Sequence, residues 1–482
     1  MRRIDFGKRQ ALYDVAATRR LEQAFLAALP PHTLMQRAGQ AVAQLALALT
    51  PHARRIWIAC GPGNNGGDGL EAALHLQQWG KSPVVTWLGQ PDRAPSDASA
   101  AYLRAVQSGV TFSTTPPHDF DLCIDALLGI GSQTRAPEER MVEWITRMNT
   151  ACAPVLAVDV PTGLQPDTGH AETTSVHAHH TLSLLTLKPG LFTAHGRDAA
   201  GSVWLDNLGC NAPFQPTAWL TGAPETALRL HATHKGSYGD VAVVGGAAGM
   251  TGAALLAACA ALHAGAGRVF VSLLDDSTLR IDTSQPELMF RSFNALDFTS
   301  MTVVCGCGGG EAIRPQLPKL LATAARIVID ADAINSIATD IELQTLASTR
   351  NQRLAPTVLT PHPLEAARLL GRSVSQVQQN RLACAQELAQ KFDCTVVLKG
   401  SGTVIATPGS TPCINPTGNA RLASGGTGDV LAGMIAARLA AGQPTFQAAC
   451  DATYQHGLQA DHWPEDHTLT AGALAKIPYK GK

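Results

Sequence analysis

The chain has 482 residues, which requires more than one hydrophobic core, and its 16% of charged residues beside abundant alanine and glycine excludes a disordered chain. A formal net charge of −1 offers no broad attraction to nucleic acid or to an anionic membrane, so neither is expected as a partner. The start, MRRIDFGKRQALYDVAATRR, has no apolar run behind its basic residues, and Ala41–Leu49 is too short to span a bilayer, so a cytoplasmic protein is expected.

In chain order, Arg55–Cys60 reads as a strand, Leu70–Trp79 as a helix, Pro83–Leu88 as a strand and Ser96–Gln107 as a helix. Asp121–Leu127, Val155–Val160 and His180–Leu187 follow as strands, with a helix over Glu138–Met148. This alternation predicts a mostly parallel, Rossmann-like α/β sheet with ligands beyond the strand carboxyl ends. The rhythm breaks in the polar, proline-containing stretch 210–224, which sets the expected boundary: one domain over residues 1–222, a second over 223–482. A new strand series then runs through Asp240–Gly246, Arg268–Leu274, Thr302–Cys305, Ile327–Ile329, Thr357–Leu359 and Thr395–Leu398. There is no short-period repeat, which excludes a solenoid. The eleven cysteines include no Cys-x-x-Cys pair, only Cys305-x-Cys307, and are expected to be reduced.

Several strand ends carry chemistry. Residues 60–69, CGPGNNGGDG, place Gly61, Gly63 and Gly66 in G-x-G-x-x-G spacing between a strand and a helix. The competing reading is a tight turn requiring positive φ. Asn64, Asn65 and Asp68 favour a polar ligand or cation, because a turn alone has no use for three oxygen-bearing side chains at a helix N-terminus. Asp125, in Ile124-Asp-Ala-Leu-Leu-Gly-Ile-Gly131, and Asp159, in Ala157-Val-Asp-Val-Pro-Thr-Gly-Leu164, also follow apolar runs. On parallel strands Asn65, Asp125, Asp159 and Thr162 emerge at one edge, an all-oxygen set suited to a hard cation, with one carboxylate left for acid-base work. Either Asp alone also suits a cap or turn. The cluster His177-Ala-His-His180 has no acidic or cysteine partner nearby and reads as a strand start.

The second half holds the sharper signal, residues 419–433, NARLASGGTGDVLAG. Gly425, Gly426 and Gly428 let N–H groups at a helix start converge on an anion. Asp429, in the first helical turn, is placed to take a proton from a hydroxyl as phosphate arrives, although an acid there also stabilises the helix. Lys399-Gly-Ser-Gly-Thr403, the glycine turn at 245–252, Thr360-Pro-His-Pro-Leu-Glu365 and Asp330-Ala-Asp332 fit a phosphate site, the last able to hold Mg²⁺ through water. None matches a Walker P-loop.

Over nearly its whole length the chain resembles the bifunctional NAD(P)H-hydrate repair enzymes. The first half does so through Asn64-Asn-Gly-Gly-Asp68, Asp125-Ala-Leu-Leu-Gly-Ile-Gly131, Asp159-Val-Pro-Thr-Gly163 and Lys188-Pro-Gly-Leu191. The second does so through Lys235-Gly-Ser-Tyr-Gly239, Thr251-Gly-Ala-Ala254, Thr360-Pro-His362, Lys399-Gly400 and Gly425-Gly-Thr-Gly-Asp429. The resemblance implies an epimerase domain followed by a ribokinase-like dehydratase domain acting on NADHX and NADPHX, the hydrates of NADH and NADPH. In the first, Asn64, Asn65, Gly66, Gly67, Asp68, Gly129, Ile130, Gly131, Ser132, Gln133, Thr134, Arg135 and Asp159 would contact the hydrate. Asn65, Asp125 and Thr162 would hold K⁺, and Asp159 would be the acid-base group. In the second, Lys399, Gly400, Ser401, Gly402, Thr403 and Gly428 would bind ADP or ATP with Mg²⁺. Ala253, Gly308, His362 and Asp429 would meet the hydrate, with Asp429 as base. A homo-oligomer is the expected assembly. The chain departs from the family pattern at Thr162, where Ser is commoner, at Cys307 for Pro, at Leu364 for Gly and at Arg421 for a small residue. Two other readings stay open: a vitamin or sugar kinase for the second half, and a non-catalytic scaffold for the first.

Overall fold

The computed structural model describes residues 1–131, 138–171, 174–225, 231–275 and 281–477. The chain forms two compact units: residues 1–5 with 11–218, and residues 6–10 with 219–482. Among the described residues, no helix is long and apolar enough to cross a membrane.

In the first unit the sheet order is Arg2–Arg3, Ser202–Asp206, His180–Leu184, Val155–Val158, Leu122–Ala126, Arg55–Cys60, Ser82–Trp87, Thr111–Ser113. All neighbours are parallel except the first pair. Leu122–Ala126 is buried at every position because helices cover both faces, which its apolar run up to Asp125 permits. On one face Ile56, Ile58 and Ile124 pack under Val42, Leu70 and Leu76; on the other, Trp57 and Cys123 pack under Trp144 and Ile145. The strand order reverses between Arg55–Cys60 and Leu122–Ala126, where Ala59 stands beside Asp125. A parallel sheet leaves a ligand crevice at such a reversal, beyond the carboxyl ends.

The second unit repeats the plan. Its sheet runs Met289–Phe290, Arg268–Leu273, Asp240–Gly245, Thr302–Cys305, Arg326–Ile329, Thr357–Leu359, Thr395–Leu398, Val404–Ala406, Cys413–Ile414, Ala218–Leu220. Pairing is parallel as far as Thr395–Leu398, where an antiparallel hairpin through Val404–Ala406 begins. The order reverses between Asp240–Gly245 and Thr302–Cys305. Val241 and Val243 face one core with the helices Thr251–His263 and Thr427–Ala440, whereas Ala242 and Val244 face the other. Both sheets thus agree with the α/β class read from the sequence.

Most expected boundaries shift by one to three residues, and one helix start moves further. The helix expected at Leu70 begins at Asn64 and runs to Gln78. None of Gly61, Gly63 and Gly66 takes a positive φ, so the positive-φ turn is not what the glycines supply. Gly61 and Gly66 permit close approach, while Gly63 faces open space: a Cβ on Gly66 would lie 2.0 Å from the Gly61 carbonyl oxygen, and one on Gly61 would lie 1.8 Å from that of Leu127.

The two helices of the second unit that flank its crevice meet at Gly433, where an added Cβ would lie 2.0 Å from the Ala257 carbonyl oxygen. Gly433→Ala is therefore expected to cost about 1–3 kcal/mol by overpacking. A lowered urea midpoint for the second unit checks this, and an unchanged midpoint would show that the helices separate freely.

Candidate active sites

In the first unit three strand ends deliver acids or hydroxyls. Asp125 is the fourth residue of its strand and wholly buried. Its Oδ1 accepts from Thr162 Oγ1 (2.7 Å) and Leu127 N (3.2 Å), and its Oδ2 accepts from Thr162 N (2.9 Å). Burial nonetheless pushes its pKa up to about 6, the hydrogen bonds offsetting only part of the desolvation. Thr162 Oγ1 in turn accepts from Leu128 N at 3.0 Å, tying the 128–131 loop to the same group. The Asn65 Nδ2 is buried and has no hydrogen-bond partner, and its side chain lies against Gly129.

Asp159 follows the strand Val155–Val158 with φ at +66°, a left-handed conformation unfavourable for a non-glycine residue. That bend aims its carboxylate at the wholly buried Lys188, whose Nζ donates to Asp159 Oδ1, to the Leu184 carbonyl at 2.7 Å and to Ser183 Oγ at 3.3 Å. Leu184 N also donates to Asp159 Oδ1 at 3.1 Å. Asp68, in the second helical turn, has its pKa raised by burial and then by the Asp159 charge. Glu22, on the helix Val15–Leu26, is raised by the same two causes. Arg19 of that helix donates to the Ile130 carbonyl at 3.4 Å. The structure thus gathers Asn65, Asp68, Asp125, Gly129, Asp159 and Thr162 around the reversal point. Ser132, Gln133, Thr134 and Arg135 lie outside the described residues.

The second site is built the same way. Asp330 ends the strand Arg326–Ile329 and is 1% exposed. Its Oδ1 accepts from Lys399 Nζ (2.6 Å) and Thr360 Oγ1 (2.8 Å). Burial pulls the Lys399 pKa down, but Asp330, Glu365 and Cys307 outweigh it and leave the ammonium above its ordinary value. Lys399 Nζ would lie 3.3 Å from a Cβ on Gly428, so the ammonium faces the glycine turn. The helix Thr427–Ala440 starts there from Gly426, at φ +92°. Asp429, in its first turn, is pushed up to about 6 by burial and then by Asp330. One ligand atom each from Asp429, Asp330 and Cys307 lies within 4.8 Å of the others. The Cys307 thiol is held well above its ordinary range by burial and the two carboxylates.

Gly308 packs against Ala253, since an added Cβ would lie 2.9 Å from the Ala253 Cβ. His362 caps the helix Pro363–Leu370 through Nδ1 while Glu365 accepts its backbone N–H at 2.7 Å. Burial holds the His362 pKa down and lifts that of Glu365 to about 7. The Lys399–Thr403 loop joins two antiparallel strands, and the buried Arg381 props it by donating to the Leu398 and Lys399 carbonyls, both at 3.1 Å. Buried His456, with its pKa lowered to about 4, donates from Nε2 to the Thr427 carbonyl at 2.9 Å.

Reading the sequence missed the supporting residues Lys188, Arg19, Glu22, Arg381 and His456. Lys188 alone had a signal, the Lys-Pro-Gly-Leu motif at the end of the last predicted strand of that series.

A family model described as YjeF-related protein N-terminus matches residues 31–190, and one described as NAD(P)H-hydrate dehydratase matches residues 241–478. The bifunctional NAD(P)H-hydrate repair enzyme of Escherichia coli (strain K12) is 36% identical over 465 residues, covering 91% of this chain and 87% of that protein. The ADP-dependent (S)-NAD(P)H-hydrate dehydratase of Neisseria meningitidis serogroup B is 42% identical over 254 residues, covering 51% of this chain and 84% of that protein. A crystal structure of the ADP/ATP-dependent NAD(P)H-hydrate dehydratase of Bacillus subtilis, co-crystallized with ATP/Mg²⁺, is 32% identical, covers 52% of this chain and 91% of that one, and has a TM-score of 0.44. With both models matched in order and a full-length relative above a third identity, the chain belongs to the family of bifunctional NAD(P)H-hydrate repair enzymes, with an epimerase and a dehydratase domain.

Proposed function

We propose that the first unit interconverts the R and S epimers of hydrated NADH and NADPH, and that the second dehydrates the S epimer with ADP or ATP as phosphoryl donor. The observation that supports this best is a carboxylate close to the reversal point of each sheet: the buried Asp159 paired with Lys188, and the half-buried Asp429 at the head of a glycine-started helix. The proposed domain division stays at residue 222, and the proposed compartment is the cytoplasm, which suits eleven free thiols.

In the first site two carboxyl groups sit in environments that set them different tasks. Asp159, ion-paired with Lys188, is the base. Asp68, held toward its protonated form by burial and the Asp159 charge, is the acid. The C6 hydroxyl of the hydrate is adjacent to the ring nitrogen, whose lone pair assists its departure. Asp68 protonates the leaving oxygen, and Asp159 takes a proton from the water that adds to the opposite face. Asn64, Gly66, Gly67 and Gly129–Arg135 would hold the hydrate. Asn65, Asp125 and Thr162 suit K⁺: the Asn65 amide has an unpartnered buried end that can be turned to present an oxygen, and the Asp125 and Thr162 oxygens already lie 2.7 Å apart. K⁺ would supply fixed positive charge at this edge.

In the second site Lys399–Thr403 and Gly428 would bind the nucleotide, with Mg²⁺ riding on its phosphates and held through water by Asp332, whose charge reaches Asp429 and Glu365. Ala253, Gly308 and His362 would seat the hydrate. Asp429 takes the proton from the C6 hydroxyl as that oxygen attacks the terminal phosphoryl group. The N–H groups of the glycine turn steady the transferred phosphoryl; phosphate then leaves C6 far more readily than hydroxide, the ring nitrogen lone pair assisting, and loss of a proton from C5 to the departing phosphate or to water restores the ring double bond.

Asp159→Ala is expected to slow epimerisation by about 10²–10⁴-fold, leaving dehydration of the S epimer intact. Asp429→Asn is expected to lose dehydration by a similar factor while still binding nucleotide. Return of reduced-nicotinamide absorbance from each purified epimer reads both, and wild-type turnover in either variant removes that residue's role. A product that keeps its phosphate would favour the kinase reading of the second unit.

Two pH dependences follow. Asp429 must be ionised to act, so kcat for dehydration should fall as pH drops through about 6, in a pH–rate profile at saturating substrate. The Asp125 pKa is raised on folding, so its protonated form stabilises the fold at low pH, and that contribution is lost as pH rises through about 6. K⁺ bound to the carboxylate would offset the loss. The rise in melting temperature of the first unit with K⁺ is therefore expected at pH 8, to shrink at pH 5, and to vanish in Asp125→Asn; an equal rise under all three conditions would place K⁺ elsewhere.

A further inference from the structure

Cys307, Asp330 and Asp429 reach one point from three separate elements. Cys307 follows the strand Thr302–Cys305, Asp330 follows Arg326–Ile329, and Asp429 opens the helix Thr427–Ala440. One ligand atom from each lies within 4.8 Å of the other two. We propose that this trio is a binding site for a soft divalent cation, Zn²⁺ or Cd²⁺, held by Cys307 Sγ and one carboxylate oxygen each from Asp330 and Asp429, and that its occupancy stops dehydration. The second half of the proposal rests on reading Asp429 as the base.

The donor set selects the cation. A thiolate with two carboxylate oxygens matches Zn²⁺, which takes three protein ligands and leaves a fourth position open, whereas Mg²⁺ prefers six oxygens. Tetrahedral bonds of about 2.0–2.3 Å separate neighbouring ligand atoms by roughly 3.3–3.7 Å, so the trio closes with side-chain shifts of about 1 Å. Among the described residues, both side-chain hydrogen bonds of the buried Asp330, from Lys399 and Thr360, fall on Oδ1, which leaves Oδ2 available.

The charges also balance. Two carboxylates stand against one Lys399 ammonium, and loss of the thiol proton leaves two net negative charges for one dication. The step is an exchange: the S–H bond breaks, a metal–sulfur bond forms, and the proton passes to water. No electron is transferred. Once bound, the cation takes the Asp429 lone pair needed to accept the hydroxyl proton.

The test uses the full chain. Cd²⁺ titration is expected to produce an ultraviolet thiolate-to-cadmium charge-transfer band, part of which, equivalent to one Cd²⁺ per chain, is missing in Cys307→Ser. Ten other cysteines make that difference the relevant signal. In parallel, Zn²⁺ should inhibit dehydration of the S epimer, and half-inhibition of Cys307→Ser, relative to its own rate, should need about tenfold more Zn²⁺ or higher. Cys307→Ala, with dehydration of the S epimer in the absence of Zn²⁺ as a folding check of the second unit, serves if the Ser variant is unstable.

Absence of a Cys307-dependent band overturns the site. A Cys307-dependent band with equal zinc sensitivity in wild type and variant overturns its control of dehydration. Because the band does not depend on what Asp429 does in catalysis, failure of the site is distinguishable from failure of the base assignment, which Asp429→Asn reports separately.

Discussion

Asp159 and Lys188 meet almost entirely out of water, and much of the first unit's active edge is arranged so that they can. A carboxylate in that position is costly unless an opposite charge lies within reach and the remaining hydrogen-bonding capacity is filled. The chain meets the requirement with a left-handed bend at Asp159, a buried ammonium from the segment after the next strand, and the Leu184 N–H. Opposing charge thus comes from a fixed side chain, with no dependence on bulk water. Asp68, buried and close enough to feel the Asp159 charge, has its pKa raised by both.

The same constraint is solved differently in the second unit. There the ammonium of Lys399 is paired with Asp330, and Asp429 lies at the helix start beside the Asp330 carboxylate and the Cys307 thiol, with no ion pair of its own among the described residues. Asp429 is the less neutralised of the two proposed bases, which fits a group that must accept a proton only when a phosphoryl group arrives. Each site is built from residues of one unit, so the two activities need no shared side chain.

The sequence made the fold class legible because parallel strands buried on both faces are written as unbroken apolar runs; Thr302–Cys305, Thr357–Leu359 and Thr395–Leu398 have the expected limits. It also made Asp125, Asp159 and Asp330 legible, since each ends or directly follows such a run, and Asp429 through the glycine turn before its helix. The start of the helix at Asn64 was not, because three glycines in its first turns oppose helix by propensity, and only contact with Gly61 and the layers around it explains them. The supporting shell was legible least. Arg19, Arg381 and His456 act on residues 111, 18 and 29 positions away, with no local pattern to mark them. Hydrogen bonds across such separations are set by topology, and a strand or helix period does not encode them.

The short segment 6–10 belongs with the second unit although the residues on either side belong with the first. There the Phe6 carbonyl accepts from Tyr454 Oη at 3.0 Å, the Gly7 carbonyl accepts from Ala223 N at 3.1 Å, and Arg9 lies 4.1 Å over the Trp219 ring. A gene fission near codon 218 would therefore not divide this protein along its structural seam. The downstream product would be missing five residues of its own unit, and the upstream product would carry them without their partners. A stand-alone second unit would keep the Tyr454, Ala223 and Trp219 contacts only if residues 6–10 were carried with it.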